Sequence, residues 1–216
     1  MKKTLSLVLA MLMLLCSFAI AEEEAPAPIV IEAVTVYQSF DGENVEEAFQ
    51  FMNKDCLSEA NLVEGALVVS DDFWTEWTQV HVLPQAEATF VGADGIMFYL
   101  KRQDVTVEKG NFNFTIQIGS QGETKVEKEY VGATLWYKAD GAEEWKEMPF
   151  YGGWGSNFPV TTAGWVYLPF EGFTKTTSGS GDLDLANVKF VQFWLNTYGA
   201  QHGSIVIDAM GGAVKQ

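Results

Sequence analysis

Residues 188–196 (VKFVQFWLN) place Val191, Phe193 and Leu195 on one face of an extended segment and Gln192, Trp194 and Asn196 on the other. An aromatic ring beside amide side chains suits a sugar: the ring stacks on the C–H face while the amides hydrogen-bond the hydroxyls. Residues 112–118 (FNFTIQI) repeat the pattern, with Phe112, Phe114, Ile116 and Ile118 pointing one way and Asn113, Thr115 and Gln117 the other. In residues 95–102 (GIMFYLKR), Ile96, Phe98 and Leu100 oppose Met97, Tyr99 and Lys101. A Gly-rich loop over 151–158 (YGGWGSNF) carries Tyr151 and Trp154, which could line a groove. Its Gly152, Gly153 and Gly155 lack the Lys-Ser/Thr ending of a phosphate loop.

Catalytic patterns are scarce. His81 sits in a strand-like segment and His202 in a Gly-flanked loop, with no G-x-S-x-G, H-E-x-x-H or Cys–His signature beside either. Glu143, Glu144 and Glu147 are close in sequence, but they follow the Asp140-Gly141 turn, where charges are ordinarily solvated. A non-enzyme is therefore expected, with a minimal glycoside hydrolase as the least favoured alternative, since hydrolysis uses two carboxylates facing each other across a groove.

The elements that must carry these residues are mostly strands. Period-two segments occur at 34–37, 66–70, 79–83, 95–102, 112–118, 134–138, 165–169, 188–196 and 204–208, separated by turn signals such as Ala93-Asp94-Gly95 and Asp140-Gly141. This predicts an all-β chain folded as an antiparallel β-sandwich or jelly roll. The single predicted helix covers 44–52, with acidic residues in its first turn.

Composition supports an exported domain. Residues 1–21 read as a signal peptide: Lys2 and Lys3 precede an apolar stretch, and Ala19-Ile20-Ala21 forms an A-x-A cleavage site. Leu15 before Cys16 does not suit lipid attachment, so a secreted or cell-surface protein with no membrane span after cleavage is expected. Residues 22–28 (EEEAPAP) form a short disordered lead, and 29–216 one domain. Removing Lys2 and Lys3 takes the formal net charge from -16 to -18, which opposes binding to nucleic acid. Cys56 is then the lone thiol, so no internal disulfide forms and the core must hold the fold. The chain has 7 Trp, 7 Tyr and 15 Phe, more aromatic side chains than a core of this size requires.

Two stretches carry a resemblance. Residues 165–173 (WVYLPFEGF) and the run from Asp184 through Met210 are similar to the C-terminal strands of carbohydrate-binding modules of the family-eleven type, within the galactose-binding-like superfamily. Residues 95–102 and 114–118 match earlier strands of that pattern more loosely. The resemblance implies a jelly roll, a structural calcium ion, and a polysaccharide, commonly a β-glucan, bound by a monomer on a concave sheet face. By this resemblance Gln117, Gln192, Trp194 and Asn196 fall on the ligand face, and Tyr99 and Lys101 join them by alternation. Asp208 matches an acidic position of the closing strand that helps hold calcium, and Asp41 loosely matches an acidic position near the first strand. A related family of the same superfamily binds protein partners instead, which leaves a secreted protein-interaction or assembly domain as the alternative function.

Overall fold

A computed structural model of the chain describes residues 28–42, 45–52, 59–70, 78–103, 112–122, 125–152, 158–197 and 204–216. Apolar alternation builds strands here. On β6 (Gly95–Gln103), Ile96, Phe98 and Leu100 are fully buried, and on β7 (Phe112–Gly119) so are Ile116 and Ile118. Val191, Phe193 and Leu195 do the same on β13 (Phe190–Thr197). The inner faces meet ring to ring: the Phe98 centroid lies 5.2 Å from Phe193 and 6.2 Å from Phe114. Such aromatic contacts between two sheets form the core of an antiparallel sandwich.

The first sheet has eight strands. Its path runs β10 (Lys146–Pro149), β9 (Thr134–Ala139), β11 (Gly164–Pro169), β6, β14 (Ser204–Lys215), β4 (Ala66–Ser70) and β3 (Glu59–Val63), with β1 (Ile31–Gln38) also paired to β14. The second has six, in the order β12 (Phe173–Lys175), β8 (Lys128–Tyr130), β7, β13, β5 (Thr78–Val82) and β2 (Phe49–Phe51). The chain crosses repeatedly between the sheets, from β4 to β5 to β6 to β7, as in a jelly roll.

All nine sequence-predicted strands are present, and five short ones join them: β2, β3, β8, β10 and β12. The predicted helix over 44–52 is corrected to a four-residue helix, Val45–Ala48, running directly into β2. Phe49 and Phe51 alternate with Gln50 and pair with β5, so the sheet claims the second half of that segment. Strand β14 also runs well past the predicted end at Asp208. A bulge between Asp208 and Met210, with Ala209 at φ 43, resets its alternation so that both Ile207 and Met210 face the core.

The signal peptide, residues 22–27 of the acidic lead, Cys56, Trp154 and His202 lie outside the described residues. Among the described residues no helix is long and apolar enough to cross a membrane.

Candidate functional site

On the outer face of the six-stranded sheet, cross-strand register aligns one polar residue from each strand: Gln50 on β2, His81 on β5, Gln192 on β13, Gln117 on β7, Glu129 on β8 and Thr174 on β12. Their neighbours in sequence, among them Val80, Val82, Val191, Phe193, Ile116 and Ile118, face the core, so alternation alone sends these side chains outward. The central four are hydrogen-bonded in series. His81 Nε2 lies 2.7 Å from Gln192 Oε1, Gln192 Nε2 donates to Gln117 Oε1, and Gln117 Nε2 donates to Glu129 Oε2 at 2.8 Å.

His81 is 1% exposed, Gln192 4% and Gln117 6%, so this is a sheltered network rather than a set of solvated side chains. The His81 ring stacks on Phe190, with centroids 3.9 Å apart and planes 2° from parallel. Burial lowers the His81 pKa from its ordinary value and so favours the neutral imidazole, opposed in part by the hydrogen bond with Gln192.

One step along the strands, Trp194 stands between Gln79 and Thr115. Trp194, Gln192, Gln117, Gln79 and Glu129 line a groove of about 510 Å³ whose far wall is the segment around Thr174 to Ser178. Its volume falls in the range of ordinary ligand sites. The combination of one large ring, three amides and one carboxylate is suited to a polyhydroxylated ligand, with the ring against C–H groups and the amides toward hydroxyls.

A larger hollow of about 850 Å³ lies beside Gln38, Ser39, Leu83, Pro84 and Gln85. Its polar groups are engaged in closing loops: Gln38 Nε2 donates to the Leu83 carbonyl at 3.0 Å, Gln38 Oε1 accepts from Phe40 N at 2.9 Å, and Gln85 Oε1 accepts from Ser39 N at 3.0 Å. No aromatic side chain is among its described lining, so size alone does not make it the better ligand site.

The structure thus brings Trp194, Gln192 and Gln117 together as the sequence predicts. Asn196 follows on the same strand, in register with Asn113. Tyr99 and Lys101 do not join them, because β6 belongs to the other sheet. Tyr99 donates its hydroxyl to Asp140 Oδ2 at 2.8 Å and meets Trp165 edge to face at 5.6 Å. Burial first, and then Asp140, push its phenol pKa up to about 12. Met97, Trp136 and Tyr167 form a second cluster on that outer face, with Trp145 and Trp165 packed against it and Lys215 Nζ 4.4 Å from the Trp136 ring centroid.

Tyr151 is 67% exposed. It follows Phe150, which stacks on Tyr130, and precedes Gly152, where a Cβ would overlap the Tyr130 carbonyl; residues 150–152 are thereby held against the β8 side of the six-stranded sheet. His81 and Glu129 were not legible as site residues from sequence: alternation gives each a face, but only the strand pairing sets them at the two ends of the glutamine pair.

Asp41 and Asp208, the sequence-predicted cation ligands, are close enough for their charges to interact. Burial raises the Asp208 pKa, the Ala209 N–H works against that, and Asp41 adds to the rise. Among the described residues no group of three or more His, Cys, Asp or Glu side chains converges on one point.

No family profile matches the sequence, and no curated relative does. Among solved structures, the chain is similar to the family 11 carbohydrate-binding module of a cellulosomal cellulase of Clostridium thermocellum, with 14% identity and a TM-score of 0.48 over 86% of this chain and 96% of that one. It is likewise similar to the Clostridium thermocellum family 11 module solved with a β-1,3-1,4-mixed-linked tetrasaccharide, with 16% identity and a TM-score of 0.47 over 85% and 96% of the two chains. A third likeness is to a carbohydrate-binding module of type CBM28 described as specific for non-crystalline cellulose, with 11% identity and a TM-score of 0.39 over 84% and 94%. At these identities and scores no residue of this chain takes a role from them.

Proposed function

We propose that this chain is a non-catalytic, exported carbohydrate-binding module, monomeric in solution, whose groove on the six-stranded sheet takes a β-glucan-type polysaccharide. The observation that carries this reading is the placement of Trp194 beside a sheltered line of glutamine amides in one groove. The Trp194 ring supplies the stacking surface, Gln117, Gln192 and Gln79 bond hydroxyls, and Glu129 accepts a hydroxyl hydrogen. The exposed Tyr151 is the further aromatic side chain offered to a neighbouring sugar. The described lining supplies one carboxylate, Glu129, where glycoside hydrolysis uses two. One or two stacked sugars correspond to dissociation constants of about 10 µM to 1 mM.

A calcium ion fits the Asp41 and Asp208 pair in one respect: Asp208, whose ionisation is disfavoured by burial and by the charge of Asp41, would be relieved by a hard, oxygen-seeking cation. The ion would be structural, stiffening the junction between the segment after β1 and the bulge of β14.

The mature chain, from Glu22 onward, tests the reading by affinity electrophoresis in gels containing mixed-linkage β-glucan, xylan, glucomannan or no glycan. Retardation in the β-glucan gel is expected. Trp194→Ala should abolish it while the thermal midpoint stays within about 5 °C of wild type, since Trp194 is only partly buried. Free migration of the wild-type chain in every glycan gel would overturn the reading and favour the protein-partner alternative.

A further inference from the structure

Hydrogen bonds between amides can run in either sense along a line, and a line with two neutral ends has two arrangements of similar energy. Here one end is a carboxylate. Glu129 only accepts, so Gln117 must turn its NH2 group toward it and its oxygen away. That oxygen then takes an N–H from Gln192, and the Gln192 oxygen is left facing His81, which must carry its proton on Nε2. The opposite sense would set the Gln117 oxygen against the Glu129 carboxylate, acceptor against acceptor at 2.8 Å.

The far end agrees independently. His81 Nδ1 is buried with no hydrogen-bond partner among the described residues, so a proton there would be a buried donor without an acceptor. Phe190, stacked on the imidazole, fixes the ring plane in which Nε2 points at Gln192.

We infer that His81 and Glu129 are positioning residues of the groove: holding the line from its two ends, they lock the rotation of both glutamine amides, so that a ligand meets a preset order of donors and acceptors. This rests on the glycan reading above. His81 is not in the groove lining and is 1% exposed, so it acts through Gln192. What the line leaves for a ligand is the second N–H of each glutamine and the remaining lone pairs of Glu129. Hydroxyl oxygens are therefore received over Gln117 and Gln192, and a hydroxyl hydrogen over Glu129. Amides already locked lose no rotational freedom on binding, which raises affinity and narrows the set of hydroxyl arrangements accepted.

Two measurements test it on the mature chain. The first is the His81 tautomer from imidazole 15N NMR without glycan. Wild type should show the Nε2–H form alone, and Glu129→Lys, which puts a donor where the acceptor was, should bring in the Nδ1–H form. The second is retention in mixed-linkage β-glucan gels. His81→Phe keeps a flat ring on Phe190 but removes the donor; it should weaken binding about ten-fold with the thermal midpoint near wild type, and His81→Gln, which restores an N–H, should recover most of the loss. An Nδ1–H tautomer in wild type, a tautomer indifferent to Glu129→Lys, or wild-type retention by His81→Phe overturns the inference. If His81→Phe does not fold, the tautomer response decides. A tautomer that follows Glu129 in a chain that binds no glycan overturns the ligand reading and leaves the coupling between His81 and Glu129 standing.

Discussion

At the scale of single residues, His81 ties the site to pH. Burial holds its folded pKa below the ordinary histidine value, so the unfolded chain takes up a proton near pH 6.5 while the folded chain does not. The stability that this group contributes is present in full above about pH 6.5 and falls as the pH drops toward the folded pKa. Urea denaturation between pH 7 and pH 5 should show a decline of at most about 1.4 kcal/mol per pH unit from this one group, and His81→Phe should flatten that part of the profile. The residue scale is also where sequence reading was most informative and most incomplete. Trp194, Gln192 and Gln117 were legible because alternation fixes the face a strand residue occupies. Tyr99 and Lys101 obey the same alternation, yet β6 lies in the opposite sheet, and periodicity carries no information on sheet membership.

At the scale of elements, the nine predicted strands were legible because each shows period two over its own length. Of the five additional strands, β2, β8, β10 and β12 have three or four residues, too short for period two to separate from loop composition, whereas β3 is as long as β4 and β5 and alternates only once, with Asn61 between Ala60 and Leu62. Strand β14 hid its second half for a different reason: Gly211 and Gly212 interrupt the apolar pattern. Both are required by β1. A Cβ on Gly211 would overlap the Thr35 carbonyl, and the Gly212 N–H donates to Thr35 Oγ at 3.0 Å, with no room for a side chain on that side. Gly211→Ala should therefore push β1 off β14 at a cost of about 1–3 kcal/mol, seen as a lower urea midpoint. Amide exchange should speed up in Ile31–Gln38 and not in the six-stranded sheet.

At the scale of the whole molecule, the acidity that the composition announces is felt unevenly. Asp208 is a carboxyl whose folded pKa is raised by burial and by Asp41, so the folded state holds that proton better than the unfolded chain does. Its ionisation therefore costs stability above the folded pKa, and the cost disappears as the pH falls below the ordinary aspartate value. In chelator at pH 7, Asp208→Asn should be at least as stable as wild type. In calcium at a hundred times its dissociation constant, wild type should gain about 2.7 kcal/mol and the variant should gain little. Equal calcium responses of the two proteins in a thermal melt would remove Asp208 from any cation site. Of the seven tryptophans that the sequence offers for stacking, Trp136, Trp145 and Trp165 belong to the outer face of the eight-stranded sheet; surplus aromatics were legible as a count, but not as an address.

The line of polar side chains across the six-stranded sheet also bears on how the chain finds its own pairing. A slip of β13 by one residue against β7 would turn Gln192 into the core and bring Val191 or Phe193 out beside Gln117. The misaligned sheet would bury amides without partners and break the hydrogen-bonded series at its middle. Because the four central strands of this sheet each contribute one member to the series, residues that line the groove, Gln192, Gln117 and Glu129, also act with His81 as an alignment key during folding. A sheet whose strands have slipped cannot close the series from His81 to Glu129, so completion of the groove reports that the strands have met in their proper register.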